Sequence, residues 1–263
     1  MRLKRDPVPF YSSAALITLM PVVGALALFQ PVIVRDFIAW NRILICCISF
    51  SSFLLTVPFY MDVARISARA RDRLNFIFAG VLLLQVLLIG VQYSRGVPPH
   101  FNFTSWFNGI VFGLMALFIY LFVGAFFWLT WRILAPWKNP GGEAPDPILL
   151  AAFRAGALAF SAGSIIGMLI GARESHLVGV RWGTPAIPFL NWNLAGGDLR
   201  VPHFLGLHGL QFFPLVAWIS IRTGLRGRLL LPALIAYAVL LGLLLFGALQ
   251  GQPLTAVFGY GSR

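Results

Sequence analysis

His203 and His208 lie five residues apart in the stretch Gly196-Gly-Asp-Leu-Arg-Val-Pro-His-Phe-Leu-Gly-Leu-His-Gly-Leu-Gln211, the part of the chain richest in groups able to do chemistry. Glu174 and His176 precede it, and Asp198 lies within it. Three readings of these residue types compete. In the first, His176, His203 and His208 ligate a transition metal, with Glu174 and Asp198 as ligands or as carboxylates orienting the imidazoles. Nitrogen and oxygen donors of this kind suit zinc, copper, iron and manganese. In the second, His208 and Gln211, three residues apart on one helical face, hold a cofactor such as haem, which needs an axial ligand and an apolar slot. In the third, these side chains bond only to neighbouring helices and to the loop.

Helical geometry constrains all three readings. A five-residue spacing separates two side chains by about 140° around a helix and about 7.5 Å along it. His203 and His208 therefore face different partners on a straight helix, and converge only if Pro202 leaves the first turn unwound. Asp198 is placed to cap the helix or to accept a bond from a histidine. Once the loop closes, Glu174, His176, Asp198 and His203 are expected to meet, with His100 as a further candidate from the preceding outer loop. Arg42, near the outer end of its span, is expected to pair with Asp36 or Asp198.

The elements that position these groups are membrane spans. The chain has 263 residues, of which 59% are hydrophobic and 11% charged. Soluble domains average about 25% charged, so this chain cannot cover itself with polar surface. Spans of about 20 apolar residues are expected at 8–34, 37–61, 74–93, 106–134, 148–171, 202–221 and 229–250, with a long outer loop at 172–201. The fold class is thus all-α, a polytopic transmembrane helical bundle of seven spans forming a single membrane domain over residues 1–263. The first span has a basic start and an Ala25-Leu-Ala27 resembling a cleavage site, but its apolar run continues to Val34 and reads as a retained helix.

Charge sets the orientation. There are 20 Lys and Arg against 8 Asp and Glu. With the N-terminus inside and the C-terminus outside, the densest basic clusters, Arg65–Arg73 and Arg222–Arg228, both fall inside, as the positive-inside rule requires. Arg154 stands within the fifth span and is expected to snorkel towards its inner end. The basic residues punctuate apolar runs instead of forming a patch on a polar domain, which points to topology signals and contacts with anionic lipid, not to nucleic acid. Trp128, Trp131 and Trp137 are expected at the inner interface, and Trp40 and Trp106 at the outer one. The Pro/Gly-rich stretch 136–147 reads as an inner loop. Adjacent Cys46 and Cys47 lie in an apolar run and read as small packing residues.

Ala155, Ala159, Gly163, Gly167 and Gly171 recur every fourth residue and form one stripe along the fifth span, where a second helix can approach closely. Pro214, just beyond Gln211, removes a helical donor and is expected to bend the sixth span. The stretch Gly197–Gln211 resembles a segment, of the form GDLRxxHFxGxHxxQ, in uncharacterised bacterial inner-membrane proteins. The resemblance covers Glu174–Pro214 and implies a multi-pass protein of the bacterial inner membrane, with no activity attached. The expected function is a membrane protein with an outward-facing site for a transition metal or redox cofactor. A non-catalytic subunit or assembly partner of a larger complex is the alternative, and a small-solute transporter the third. No nucleotide-binding, serine-hydrolase or zinc-protease motif occurs.

Overall fold

The computed structural model describes residues 5–35, 37–136 and 146–257. The chain is an all-α helical bundle. Its helices are α1 (Pro7–Phe29), α2 (Ala39–Ala64), α3 (Ala68–Ser94), α4 (Trp106–Leu134), α5 (Pro147–Ala172), α6 (Arg200–Arg222), α7 (Leu230–Leu249) and the short α8 (Leu254–Val257). Among the described residues, the first seven are each long and apolar enough to cross a bilayer. Two antiparallel ladders of two residues per strand are added, β1 (Ile33–Val34) with β2 (Phe37–Ile38) and β3 (Leu177–Val178) with β4 (Gly197–Asp198). Most of the Pro/Gly-rich stretch at 136–147, with Trp137 and Lys138, lies outside the described residues, as do Asp36, Arg2, Lys4 and Arg263.

Helix ends follow local chemistry. The apolar run of α1 continues past Phe29, but the helix stops there, two residues before Pro31. Proline cannot donate, and it pushes its predecessor out of the helical region. The chain then turns through the β1–β2 hairpin, and the Trp40 indole donates to the Gln30 carbonyl at 2.9 Å. Trp40 is buried, whereas Trp106, Trp128 and Trp131 are exposed. Helix α3 starts six residues before the apolar run it carries. Its N-cap Ser67 accepts from the Ala70 amide at 3.3 Å.

The chain divides into two compact units, and α2 and α4 each contribute to both. The first comprises the described parts of 1–58, 67–125 and 180–195. Its apolar centre is a cluster of three rings, Phe53, Phe78 and Phe122, with centroids 5.0–5.3 Å apart. Several polar groups within it bond to one another, although the Asn75 Oδ1 is buried without a partner. Arg71 donates to both oxygens of Asp6, at 2.8 and 3.0 Å, and Asn75 donates to the same carboxylate at 3.1 Å. Gln85 donates to the Met115 carbonyl at 2.8 Å. Arg95 donates to Gln92 at 2.6 Å and to Asn108 at 2.8 Å. Cys46 and Cys47 are buried free thiols.

The second unit comprises 59–66, 126–179 and the described part of 196–263. At its centre α5 and α6 pack with their backbones nearly touching. A methyl group added at Gly206 would lie 2.5 Å from the Gly163 Cα, and one at Gly163 would lie 2.6 Å from the Leu207 nitrogen. The small-residue stripe thus serves packing within the chain. A cluster of Ala152, Ala159, Phe213, Ala217, Leu230 and Tyr237 joins α5, α6 and α7. Arg154 reaches back towards the end of its helix and donates to the Ile133 and Ala135 carbonyls at 3.2 and 3.4 Å. These carbonyls close α4, whose last turn has no helical donors of its own.

Candidate functional site

The residues singled out by type fall around α5, α6 and the start of the connection between them. Asp146 caps α5, accepting from the Ile148 and Leu149 amides at 2.7 and 3.4 Å, with Pro147 in the first turn where no donor is needed. The helix closes at Ala172, and β3 then pairs with β4 in the register Leu177 with Asp198 and Val178 with Gly197. The Leu199 amide donates to the His176 carbonyl at 2.9 Å and completes this pairing. Gly197 is required here, because a Cβ would collide with the Ala248 carbonyl at the end of α7.

This ladder brings together two of the candidate residues. His176 Nδ1 lies 3.3 Å from Asp198 Oδ1, and both residues are buried. The second partner of the carboxylate is Arg200. Its Nη2 donates to Asp198 Oδ2 at 2.6 Å, and its Nε lies 3.0 and 3.2 Å from the two oxygens. The Arg200 amide also donates to Asp198 Oδ1 at 3.0 Å, so Asp198 both caps α6 and contacts a histidine. Burial alone would raise the Asp198 carboxyl. The close His176 ring and the Arg200 hydrogen bonds and charge outweigh it and hold the group well below the usual carboxylate range, although His176 Nδ1 at 3.3 Å does not meet hydrogen-bond geometry.

The other candidates point elsewhere. His203 Nδ1 lies 2.7 Å from the Gly163 carbonyl of α5. A carbonyl only accepts, so this nitrogen carries the hydrogen. Gly167 makes room for the ring, since a Cβ there would lie 2.7 Å from His203 Cε1. The first turn of α6 is helical through Pro202, and the His203 amide bonds Leu199 at 3.2 Å. The convergence of His203 and His208 that an unwound turn would allow does not occur. His208 packs on Phe204, with ring centroids 4.3 Å apart, while the Oε1 of Gln211 is buried without a hydrogen-bond partner. Glu174 is exposed, in the left-handed region at φ +52°, beyond the end of α5. His100 belongs to the other unit and packs beside Phe101 and Phe112. Of the two partners expected for Arg42, Asp198 belongs to the other unit and Asp36 is not among the described residues.

A shared ion would need at least three of these donors around one point. Among the described residues, no three His, Cys, Asp or Glu side chains are grouped in that way. Of the five expected ligands, only His176 and Asp198 meet, and the Arg200 guanidinium on that carboxylate opposes a cation. The cavity beside Asp198, lined also by Val201, Leu244, Ala248, Gln252 and Leu254, measures about 10 Å³. That is the lower limit for a single water. Of the five, the structure thus brings two together, and His208 lies against the Phe204 ring.

Two groups that composition did not flag matter as much as the histidines. Pro214 cannot donate to the carbonyl four residues before it, which is that of Leu210. The Tyr60 hydroxyl donates to this oxygen at 2.6 Å. The Tyr237 hydroxyl donates in the same way to the Leu205 carbonyl. The Pro214 position carried the signal for the first of these, but the tyrosine that answers it lies 150 residues away in the chain. Compared with known proteins, the chain matches no family model, no curated sequence and no solved structure.

Proposed function

We propose that this integral membrane protein is a non-catalytic component of the membrane, acting through association with other membrane proteins, and that its histidine-rich segment is a structural clamp. The observation carrying this reading is the state of Asp198, whose two oxygens are occupied by Arg200 and contacted by His176. The commitment of His203 to the α5 backbone supports it. Side chains of the type that run metal or redox chemistry are here spent on holding α5, α6 and their connection together. The bacterial inner membrane and an inside N-terminus belong to the same proposal. They are supported by the basic clusters at Arg65–Arg73 and Arg222–Arg228 and by the resemblance of the Gly197–Gln211 segment.

Metal analysis and an absorption spectrum of the detergent-purified chain test the clamp, and crosslinking in native membranes tests the association. The expected results are substoichiometric metal, no Soret band and a crosslinked species containing one defined membrane partner. One equivalent of a transition metal that is lost in both His176→Ala and His203→Ala would overturn the reading in favour of a metal site. A chain that crosslinks to no protein would overturn the association.

A further inference from the structure

The first three turns of α3 carry an open groove lined by Arg69, Asp72, Arg73, Phe76 and Ile77, with a volume of about 660 Å³. Arg69 and Arg73 are one helical turn apart on one face, and Phe76 continues that face where the helix becomes apolar. Arg69, Asp72, Arg73 and Phe76 are exposed. In the same turns Arg71 points the other way and is buried against Asp6. The helix thus separates a charge used inside the fold from two left at the surface.

We propose that this groove binds one phospholipid molecule with an anionic, hydroxyl-bearing headgroup, of the phosphatidylglycerol kind. The phosphodiester lies across Arg69 and Arg73, whose guanidinium forks match its oxygens. The headgroup hydroxyls donate to Asp72, a carboxylate able only to accept. Phe76 and Ile77 receive the first methylenes of an acyl chain. Charge selects this occupant. The groove holds two positive groups and one negative, so a lipid of one net negative charge neutralises it, whereas a zwitterionic lipid leaves it charged. Position agrees, since the groove sits where the polar start of α3 meets the run that crosses the bilayer. Among the described residues, the groove is lined by α3.

Native mass spectrometry of the full chain in detergent, titrated with phosphatidylglycerol, phosphatidylethanolamine and phosphatidylcholine, tests it. Each arginine near an anionic lipid phosphate contributes about fivefold in affinity. The expected result is preferential retention of one phosphatidylglycerol, weakened about twenty-fivefold in Arg69→Gln/Arg73→Gln. Phosphatidylcholine, whose phosphodiester is offset by its own cationic headgroup, should lose less than phosphatidylglycerol in that variant, so that the preference between the two collapses. Asp72→Asn should narrow the preference for phosphatidylglycerol over phosphatidic acid, which lacks the hydroxyls. Rising salt should release the bound lipid from the unaltered chain, a readout that needs no variant to fold. Equal retention of all three lipids, or a preference that survives loss of both arginines, would overturn the assignment.

Discussion

Replacing Tyr60 by Phe removes one oxygen from the interior and asks what an orphaned helix carbonyl costs in this fold. The hydroxyl donates at 2.6 Å to the Leu210 carbonyl, and Tyr60 is 0% exposed. Without it, that carbonyl faces neither the amide that Pro214 lacks nor water. A buried acceptor left unmade costs about 1–3 kcal/mol. Interhelical bonds inside membranes average nearer ~0.6 kcal/mol, because the unfolded chain finds other partners in lipid. Leu210 itself is fully buried, so no lipid or water can reach the carbonyl, and the loss should lie at about 1–2 kcal/mol, a five- to thirtyfold fall in the ratio of folded to unfolded protein. Equilibrium unfolding in mixed micelles of rising denaturing-detergent fraction measures it. The decisive comparison is a double-mutant cycle with Pro214→Ala, which returns an amide donor to the same carbonyl. In that background Tyr60→Phe should cost less, with a coupling of about 1 kcal/mol. Gly156→Ala supplies a third route to the same loss, because its methyl group would occupy the position of the Tyr60 hydroxyl. If Tyr60→Phe is neutral, or costs as much in the Pro214→Ala background as in the unaltered chain, the carbonyl is not what the hydroxyl serves.

Three other perturbations probe different parts of the bundle. Gly206→Ala drives a methyl group into the Gly163 backbone of α5, 2.5 Å away, and should cost about 1–3 kcal/mol in the same assay, whereas Gly242→Ala, with open space around it, should cost nothing. Asp6→Asn leaves the buried Arg71 guanidinium without its countercharge and should destabilise by about 3–5 kcal/mol, while adding Arg71→Met in the same chain should recover most of the loss. Asp198 has its folded carboxyl below the ordinary value, so its contribution to stability is complete above an unfolded value of about 4 and declines as pH falls below that towards the lower folded value. Thermal melts from neutral pH downwards should show this decline and Asp198→Asn should flatten it; an unchanged acid profile would remove Asp198 from the account.

The helices were legible where hydropathy and capping agree. Helix α4 runs from Trp106 to Leu134, the bounds its apolar run predicts, with the Asn108 amide bonded to Ser105 at its start and Pro136 just beyond its end. Where the two signals part, capping wins. Ser67 starts α3 ahead of Arg69, Arg71 and Arg73, residues that a search for apolar runs rejects, and Pro31 ends α1 inside a run that such a search accepts. The site was legible by residue type and not by partner. The pairing of His176 with Asp198 depends on a two-residue ladder whose register no periodicity announces. The glycines at 163 and 167 were readable as a packing stripe, but their second role, making space for the His203 ring and offering it a carbonyl, emerges only when α6 is laid against them. The Asp6–Arg71 pair escaped because each residue alone reads as an ordinary polar residue beside a span.

The arrangement around Asp198 supports the proposed structural use of a residue set suggestive of chemistry. A carboxylate in an apolar setting must be compensated, by a metal, by a cation of the protein or by several hydrogen bonds. A metal and a protein cation compete for the same lone pairs, whereas the cation's own hydrogen bonds add to its charge. Arg200 reaches Asp198 by its own amide, Nε and Nη2, so the two lone-pair faces an ion would approach are filled by donors from within the same turn. Dislodging the guanidinium to admit a divalent ion would leave Arg200 needing a new partner, in surroundings where the adjacent cavity is about 10 Å³. The position of the arginine, two residues after the aspartate, thus decides the use of the histidine beside it. His176 meets a carboxylate already neutralised, and what it adds is a second anchor joining the end of α5 to the start of α6.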